Sequence, residues 1–556
     1  MRRGYEVLAD ALVEAGVSDL FGVMGEGNLE LITTLQSERG VRYHAMRHEN
    51  GAVAAAHGYA QAGGRLGVAT VTHGPGLTNA MTGLVSASRL AAPVLLIVGD
   101  VANASDGHVQ AIEHETLAIA AGAALERAKS GPTLPAVVHR AIHRAVTESR
   151  TVVLLVPVDV QELGCPEPSA QRPPAQAPAL GTAAAADIER AARAIAAAER
   201  PLVLAGRGAV LAGARGELER LADAIGAPVA TTLLAKGFFA GHPRDLGICG
   251  GYATPLSSEV LGGVDLVVAF GASLNGFTTR SGVLFGDATI IHCDTARSAL
   301  GRTTKVDIGL LGDAREVAVQ LLQALPAPLA DADQRARELA DAISQWTPPE
   351  LLAGNSMHGR LDPARLCVTL DQVLPRDRTL AVDGGHFTQF PCTWIDVPDP
   401  SGFVFTLGFG SVGLGLAAGI GAAIARPDRL CVAVVGDGGF MMSLPELETA
   451  ARLRVPIVVA VMDDGAYGAE IHHLRARGRP LDAATFVTPD LPALAVACGA
   501  EGLALDGDGA LERLRAKLAG GLSGPLVVHA RVDPDVVSGW FAGLVEGAAQ
   551  YVRTPA

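Results

Sequence analysis

Short, strongly apolar runs alternate along the chain with segments whose apolar positions recur at helical spacing. In the first third, residues 20–23, 42–46, 67–72, 94–98 and 152–156 read as strands, and residues 51–62 and 77–89 fit as helices between them. The middle of the chain repeats the style in PLVLAG, APVATTL, VDLVVAFG and TIIHCD. The last third does so in TLAVDGG, FVFTLG, CVAVVGDGG, PIVVAVMDD and PLVVHARV. Such alternation predicts open parallel sheets with helices packed on them, an α/β fold class in three consecutive domains. No exact residue repeat relates the three blocks.

Two stretches interrupt the pattern. Residues 165–180, CPEPSAQRPPAQAPAL, and residues 346–361, with Pro348, Pro349, Gly354 and Gly359, are ill suited to a helix or a central strand. They divide the chain into domains at 1–164, 181–345 and 362–556. Composition adds a little. Hydrophobic residues make up 49% but aromatics only 4%, so the cores rest on Ala, Val, Leu and Gly, which suits helices packed closely on parallel sheets. A formal net charge of −14 speaks against nucleic acid and anionic membranes as partners, since both select a basic face. The seven cysteines stand singly, without a Cys-x-x-Cys pair, so a reduced, cytoplasmic protein is expected. The opening MRRGYEVLADALVEAGV carries Glu6, Asp10 and Glu14 and reads as an amphipathic helix, not a signal peptide. No apolar run reaches the roughly 18–20 residues of a membrane span.

The chemistry concentrates in residues 431–470, which read strand, Gly-rich turn, helix, strand, loop. A right-handed crossover sets the two strands side by side with their C-terminal ends on one edge. Asp437 ends the first strand and Asp463 and Asp464 end the second, so the crossover brings Asp437 and Asp464 together. Gly436, Gly438 and Gly439 let the backbone turn with its amides facing an anion. Hard oxygen donors beside such a turn suit Mg²⁺ bridging a diphosphate; a plain turn with acidic neighbours is the simpler alternative. Glu49, in AMRHENGAVAAAHGYA, follows one strand and opens a helix, where the helix dipole alone favours a carboxylate. Gly408, Gly410 and Gly413 formally match a dinucleotide fingerprint. The acid expected about 20 residues on falls in a Pro-containing turn where Asp428 is the only candidate.

RHE, a small-residue helix, GYA, a strand and HGPG-x-TN, with GDGGF, ELETA and DDGAYG far downstream, resemble the acetohydroxyacid synthase and pyruvate decarboxylase superfamily of thiamine diphosphate (ThDP) enzymes. The resemblance covers nearly the whole chain. It implies a pyrimidine-binding, a middle Rossmann-like and a diphosphate-binding domain. It assigns Glu49 to protonate the cofactor's aminopyrimidine, which then acts as base on the thiazolium carbon acid. It implies Asp437, Asp464 and the Ala466 carbonyl as ligands of Mg²⁺, Gly438 and Gly439 at the diphosphate, and Tyr467 and Gly468 among the cofactor-binding residues. The Gly410 carbonyl would receive the 4′-amino group, and Val412 would wedge the cofactor into its bent form. Asp464 departs from the family's usual Asn and adds a negative charge beside a diphosphate. The family's active sites lie between subunits, so a homodimer or homotetramer is expected.

Glu26, His73, Gln110 and Glu470 are the residues expected to handle protons around a 2-oxo acid substrate. Glu26 and Glu470 match acids of the 2-oxo acid decarboxylases, and His73 resembles a proton-transferring residue of benzoylformate decarboxylase. Gln110 matches a Gln that synthases place near the reaction centre. Solvated surface acids and a structural histidine are the plainer alternatives. The overall pattern favours decarboxylation followed by carboligation; the acids favour simple decarboxylation or 2-hydroxyacyl C–C lysis. In the middle domain, LAGRGAV and IIHCD resemble the FAD-binding domain of the synthases, but SLNGFTTRSG replaces their charged residues, which disfavours FAD. Two readings of a different class stand beside these. One is a nucleotide-dependent oxidoreductase using Gly408 to Gly413 or Gly206 and Gly208, which leaves Glu49 and GDGG unexplained. The other is a non-catalytic ThDP-binding homologue, which leaves Glu49 unexplained.

Overall fold

A computed structural model describes residues 2–105, 107–165, 181–326, 331–348, 360–506 and 509–553. The expected linker at 165–180 lies outside them from residue 166 on, as do residues 349–359 of the second. Three six-stranded sheets follow one another along the chain. Every strand pair in them is parallel.

The first sheet runs Arg42–Ala45, Asp19–Gly22, Gly67–Val71, Val94–Asp100, Val152–Pro157, Ala124–Arg127. The third runs Phe403–Phe405, Arg378–Val382, Leu430–Gly436, Ile457–Asp463, Leu526–Arg531, Glu501–Ala504. Numbered along the chain, both have the order 2-1-3-4-6-5. The middle sheet, Asp245–Ile248, Val229–Thr231, Pro201–Ala205, Leu266–Phe270, Thr289–Asp294, Ile308–Leu311, has the order 3-2-1-4-5-6. The outer domains thus share a topology that the middle one lacks. The winding reverses between strands 1 and 3 of each outer sheet and between strands 1 and 4 of the middle one, and the crevice above the C-terminal strand ends at such a point is where these folds take ligands.

The expected strands and helices of the first third form within about two residues of their predicted limits. Their runs are buried from end to end, as in Gly67–Val71 and Val94–Asp100, because helices cover both faces of the sheet.

Helix Glu49–Gly63 of the first domain packs on helix Gly415–Ala425 of the last. The approach is backbone to backbone. A Cβ on Gly58 would stand 1.9 Å from the Ala418 carbonyl oxygen, and one on Gly421 would stand 1.9 Å from that of Ala55. Ala55, Ala417, Ala418 and Ile420 belong to one continuous core spanning both domains. Glu446, buried on helix Asp437–Arg452, adds a polar tie: its Oε1 accepts the backbone N–H of Arg47 at 3.2 Å and of His48 at 3.0 Å.

Gly58→Ala and Gly421→Ala should each cost about 1–3 kcal/mol through forced separation of the two helices. The expected reading is a lower urea midpoint. Gly216→Ala, on a helix with nothing within 4 Å of the new methyl group, should leave the midpoint unchanged or raise it.

Candidate active site

Strand Leu430–Gly436 runs directly into helix Asp437–Arg452, with Gly436 as N-cap. Asp437 therefore occupies the first helical turn, buried, with Gly438 and Gly439 following. Register does the rest. Gly436 pairs with Met462, so Asp463 and Asp464 emerge beside Asp437. Asp437 Oδ2 accepts the Gly465 N–H at 3.1 Å, and the Thr488 hydroxyl lies 3.1 Å from it and 2.7 Å from Asp463 Oδ1. His529 Nε2 stands 2.7 Å from Asp463 Oδ2. Asp464 Oδ1 accepts the Ala466 N–H at 3.1 Å.

Burial raises the Asp437 carboxyl well above its ordinary range, and the charges of Asp464 and Asp463 push it further. Burial likewise lifts Asp464 to about 6. Asp463, despite its burial, is pulled down by His529 and Thr488. Three carboxylates thus crowd one corner, and two of them resist ionising. Hard oxygen donors in that state fit a divalent cation such as Mg²⁺. Tyr467 N–H donates to Ala484 and Phe486 N–H to Gly465, which turns the Ala466 carbonyl away from that pairing. The Tyr467 ring covers Gly438, where a Cβ would stand 3.0 Å from it. A Cβ on Gly468 would meet Asp464 Oδ2 at 2.2 Å and His386 at 2.3 Å.

Gly410 and Gly413 take φ of +74° and +87°, turning the chain into helix Gly415–Ala425. Fully buried Asp383 accepts the N–H groups of Gly413 at 2.9 Å, Leu414 at 3.1 Å and Gly415 at 3.2 Å. Those are the groups a dinucleotide's pyrophosphate would need. The protein's own carboxylate fills that helix N-terminus, which rules against a nucleotide at Gly408 to Gly413. In the middle domain the N–H groups of Gly206 and Gly208 are spent on the carbonyls of Phe270 and Gly271. There a Cβ on Gly206 would stand 2.2 Å from Gly271 O, so the loops close over that switch point. Val412 faces the turn at Gly438 and Gly439: a Cβ on Gly439 would lie 3.0 Å from its Cγ1. Asp383 was not singled out in the sequence, although an acid ending a strand before Gly384 and Gly385 was the available signal.

Glu49 is the first residue of helix Glu49–Gly63; its side chain is 12% exposed and accepts Asn79 Nδ2–H at 3.0 Å. Glu26, His73 and His108 follow three strands of the same sheet, and one ligand-capable atom from each lies within 4.8 Å of the others. Glu26 and His73 flank the point where the winding reverses. His73 is 1% exposed, and neither ring nitrogen makes a hydrogen bond, although the Gln110 side chain approaches it. Burial, then the neighbouring His108, lowers its pKa. Gln110 N–H donates to His108 Nδ1 at 3.1 Å, so neutral His108 carries its proton on Nε2. That polarity is the reverse of a metal-bound imidazole, whose second nitrogen donates, and it suits proton transfer better than metal binding. His114 Nε2 accepts the Gly74 N–H at 2.7 Å and fixes the turn after His73. Glu470 is exposed on helix Gly468–Ala476 of the last domain, outside this cluster. His108 is the member not assigned from the sequence, although it stands two residues before Gln110.

Residues 2–134, 188–321 and 383–530 match the N-terminal TPP binding, central and C-terminal TPP binding domains of the thiamine pyrophosphate enzymes. The chain belongs to this family. It is 30% identical over 489 residues to an acetolactate synthase large subunit of Corynebacterium glutamicum, covering 84% of this chain and 75% of that one. It is 30% identical over 482 residues to a probable acetolactate synthase large subunit of Methanocaldococcus jannaschii, covering 84% and 81%. It is 28% identical over 480 residues to acetolactate synthase isozyme 3 large subunit of Escherichia coli, covering 84% and 83%. Among the described residues no helix is long and apolar enough to cross a membrane.

The crowded carboxylates of this ThDP enzyme make its metal-free stability pH-dependent. A carboxyl raised in the folded state contributes stability below its unfolded pKa and loses it as pH rises through the folded one. For Asp464 the loss begins above its ordinary 3.8 and runs through about 6, and Asp437 extends it further. The rise in thermal midpoint on adding Mg²⁺ should therefore grow from pH 5 to pH 8, and shrink in Asp464→Asn. A Mg²⁺ effect independent of pH would contradict this account.

Proposed function

We propose that this chain is a ThDP- and Mg²⁺-dependent enzyme that decarboxylates a 2-oxo acid and passes the remaining carbon unit to a second carbonyl, in the manner of an acetolactate synthase. The observation that carries the reading is the meeting of Asp437, Asp464, Gly439 and Val412 in one crevice at a sheet's switch point, in a chain of this family. ThDP would supply a carbanion at thiazolium C2 and accept the electron pair left when CO₂ departs. The chain's residues do the rest. Asp437, Asp464 and the Ala466 carbonyl hold the metal, and the Gly438 and Gly439 amides, with Tyr467 and Gly468, hold the diphosphate. Gly410 and Val412 orient the cofactor, and Glu49 holds a proton for its pyrimidine. The glycine-closed loops at Gly206 and Gly271 support a middle domain without FAD.

Glu446 binds the backbone just before Glu49 but lies nine residues beyond Asp437 on its helix, about 13 Å along the axis. Glu49 therefore flanks the body of that helix in its own chain and not the metal corner. A partner subunit, in a homodimer or homotetramer, would bring the two halves together. Domains at 1–164, 181–345 and 362–556 and a cytoplasmic location complete the proposal.

A second reading, simple decarboxylation to an aldehyde, is favoured by one observation: Glu26, His73 and His108 converge with a proton on His108 Nε2. These groups, with Gln110 and, from the partner side, Glu470, would deliver a proton to carbon before a second carbonyl arrives. CO₂ release from a panel of 2-oxo acids tests both. It should require ThDP and Mg²⁺ and fall about 10²–10⁴-fold in Glu49→Gln. Mass spectrometry then separates 2-hydroxy-2-alkyl-3-oxo acids from aldehydes, and His108→Gln should shift the ratio away from aldehyde. CO₂ release unaffected by Glu49→Gln would refute the mechanism.

A further inference from the structure

A cavity of about 380 Å³ lies where the three domains meet. Its walls come from the C-terminal end of helix Glu49–Gly63 and the residues after it, from helix Arg207–Leu211 of the middle domain, and from Pro400 and Ser401 of the last. The helix is 15 residues long, so this end stands about 21 Å along its axis from Glu49. The cavity is separate from the crevice described above.

Its chemistry is one-sided. Leu66, Val146, Val210, Leu211 and Leu234 give it apolar walls. Arg65, Arg207 and His57 supply charge and polarity, and no Asp or Glu is among the lining residues. This occurs in a chain of net charge −14. Arg207 is half-buried; its guanidinium donates to the Ala91 carbonyl at 2.9 Å and to that of Leu90, contacts that orient it without neutralising it. Arg65 donates to the Ala425 carbonyl at 3.1 Å and lies 4.8 Å over the Tyr59 ring. Neither forms an ion pair with a carboxylate among the described residues. Burial, with the Arg207 charge adding to it, holds His57 down at about 4, so the imidazole is neutral near pH 7 and the cavity's positive charge comes from the two guanidinium groups. A partly desolvated guanidinium without a counter-ion is costly, and an anion that also fills the apolar space would remove the cost.

We infer that this cavity binds a small organic monocarboxylate with an apolar chain, its carboxylate on Arg207 with Arg65 at the rim, and its chain against Leu211 and Leu234. Such a ligand touches all three domains at once, which makes the cavity an effector site. The inference does not depend on which reaction the active site performs.

The test is calorimetric titration of the full chain, with ThDP and Mg²⁺ present, using 3-phenylpropionate, which has no 2-oxo group. One molecule per chain should bind saturably. Affinity should fall at least tenfold in Arg207→Gln, and tenfold when the probe is 3-phenylpropan-1-ol. Leu211→Trp fills the cavity from a position that is 66% exposed, so it should fold normally and also weaken binding at least tenfold. Glu49→Gln should leave binding unchanged. Absence of saturable binding, equal affinity for the alcohol, or binding that survives Arg207→Gln and Leu211→Trp but is lost in Glu49→Gln would overturn the proposal.

Discussion

The contact between helices Glu49–Gly63 and Gly415–Ala425 is the constraint on which the rest of the molecule depends. With Gly58 against the Ala418 carbonyl and Gly421 against that of Ala55, the two backbones approach more closely than any side chain allows. The contact fixes the first domain against the last. It also explains the composition: a chain with 49% hydrophobic residues and 4% aromatics builds its cores from Ala, Val, Leu and Gly, because its helices must nest. Glu49 opens one of these helices, and the loop carrying Gly410 and Val412 leads into the other. Glu49, Gly410 and Val412 are therefore positioned by the same contact that holds the domains together.

A second theme is how the fold handles carboxylates. At the turn after strand Leu430–Gly436 it concentrates Asp437, Asp463 and Asp464 beyond what one corner can hold ionised, leaving an excess for a cation to relieve. At helix Gly415–Ala425 it spends Asp383 on three backbone amides, so that the second Gly-rich turn is neutralised internally and shaped, not open to a phosphate. Two glycine-rich turns of similar appearance thus differ in their electrostatics: one has its amides taken by the buried Asp383, and the other stands beside three crowded carboxylates. At the three-domain junction the imbalance is reversed, with guanidinium groups and no acid.

Not all of the architecture was equally legible. The strands of the six-stranded sheets missed in the sequence, Ala124–Arg127, Asp245–Ile248, Ile308–Leu311 and Glu501–Ala504, all lie at sheet edges. Only alternate or scattered positions in them are buried, so they lack the unbroken apolar run that marked the central strands. The roles of Asp383 and His108 were hidden for a different reason. Each has a local cue, Gly384 and Gly385 after Asp383 and Gln110 after His108, but what it does depends on groups distant in sequence: the amides of Gly413 to Gly415 for Asp383, and Glu26 and His73 for His108.

The sequence by itself determined the fold class, the central strands and the pairing of Asp437 with Asp464, because these follow from local periodicity and the single permitted hand of a strand–helix–strand crossover. It also carried the family, through motifs at fixed spacing. Tertiary structure decided that Asp383 closes one Gly-rich turn, which imidazoles meet, and that Glu49 lies along the body of helix Asp437–Arg452 of its own chain. Those outcomes depend on the registration of three separately formed sheets against one another. That registration is set by backbone contacts such as Gly58 on Ala418, which no local stretch of sequence encodes.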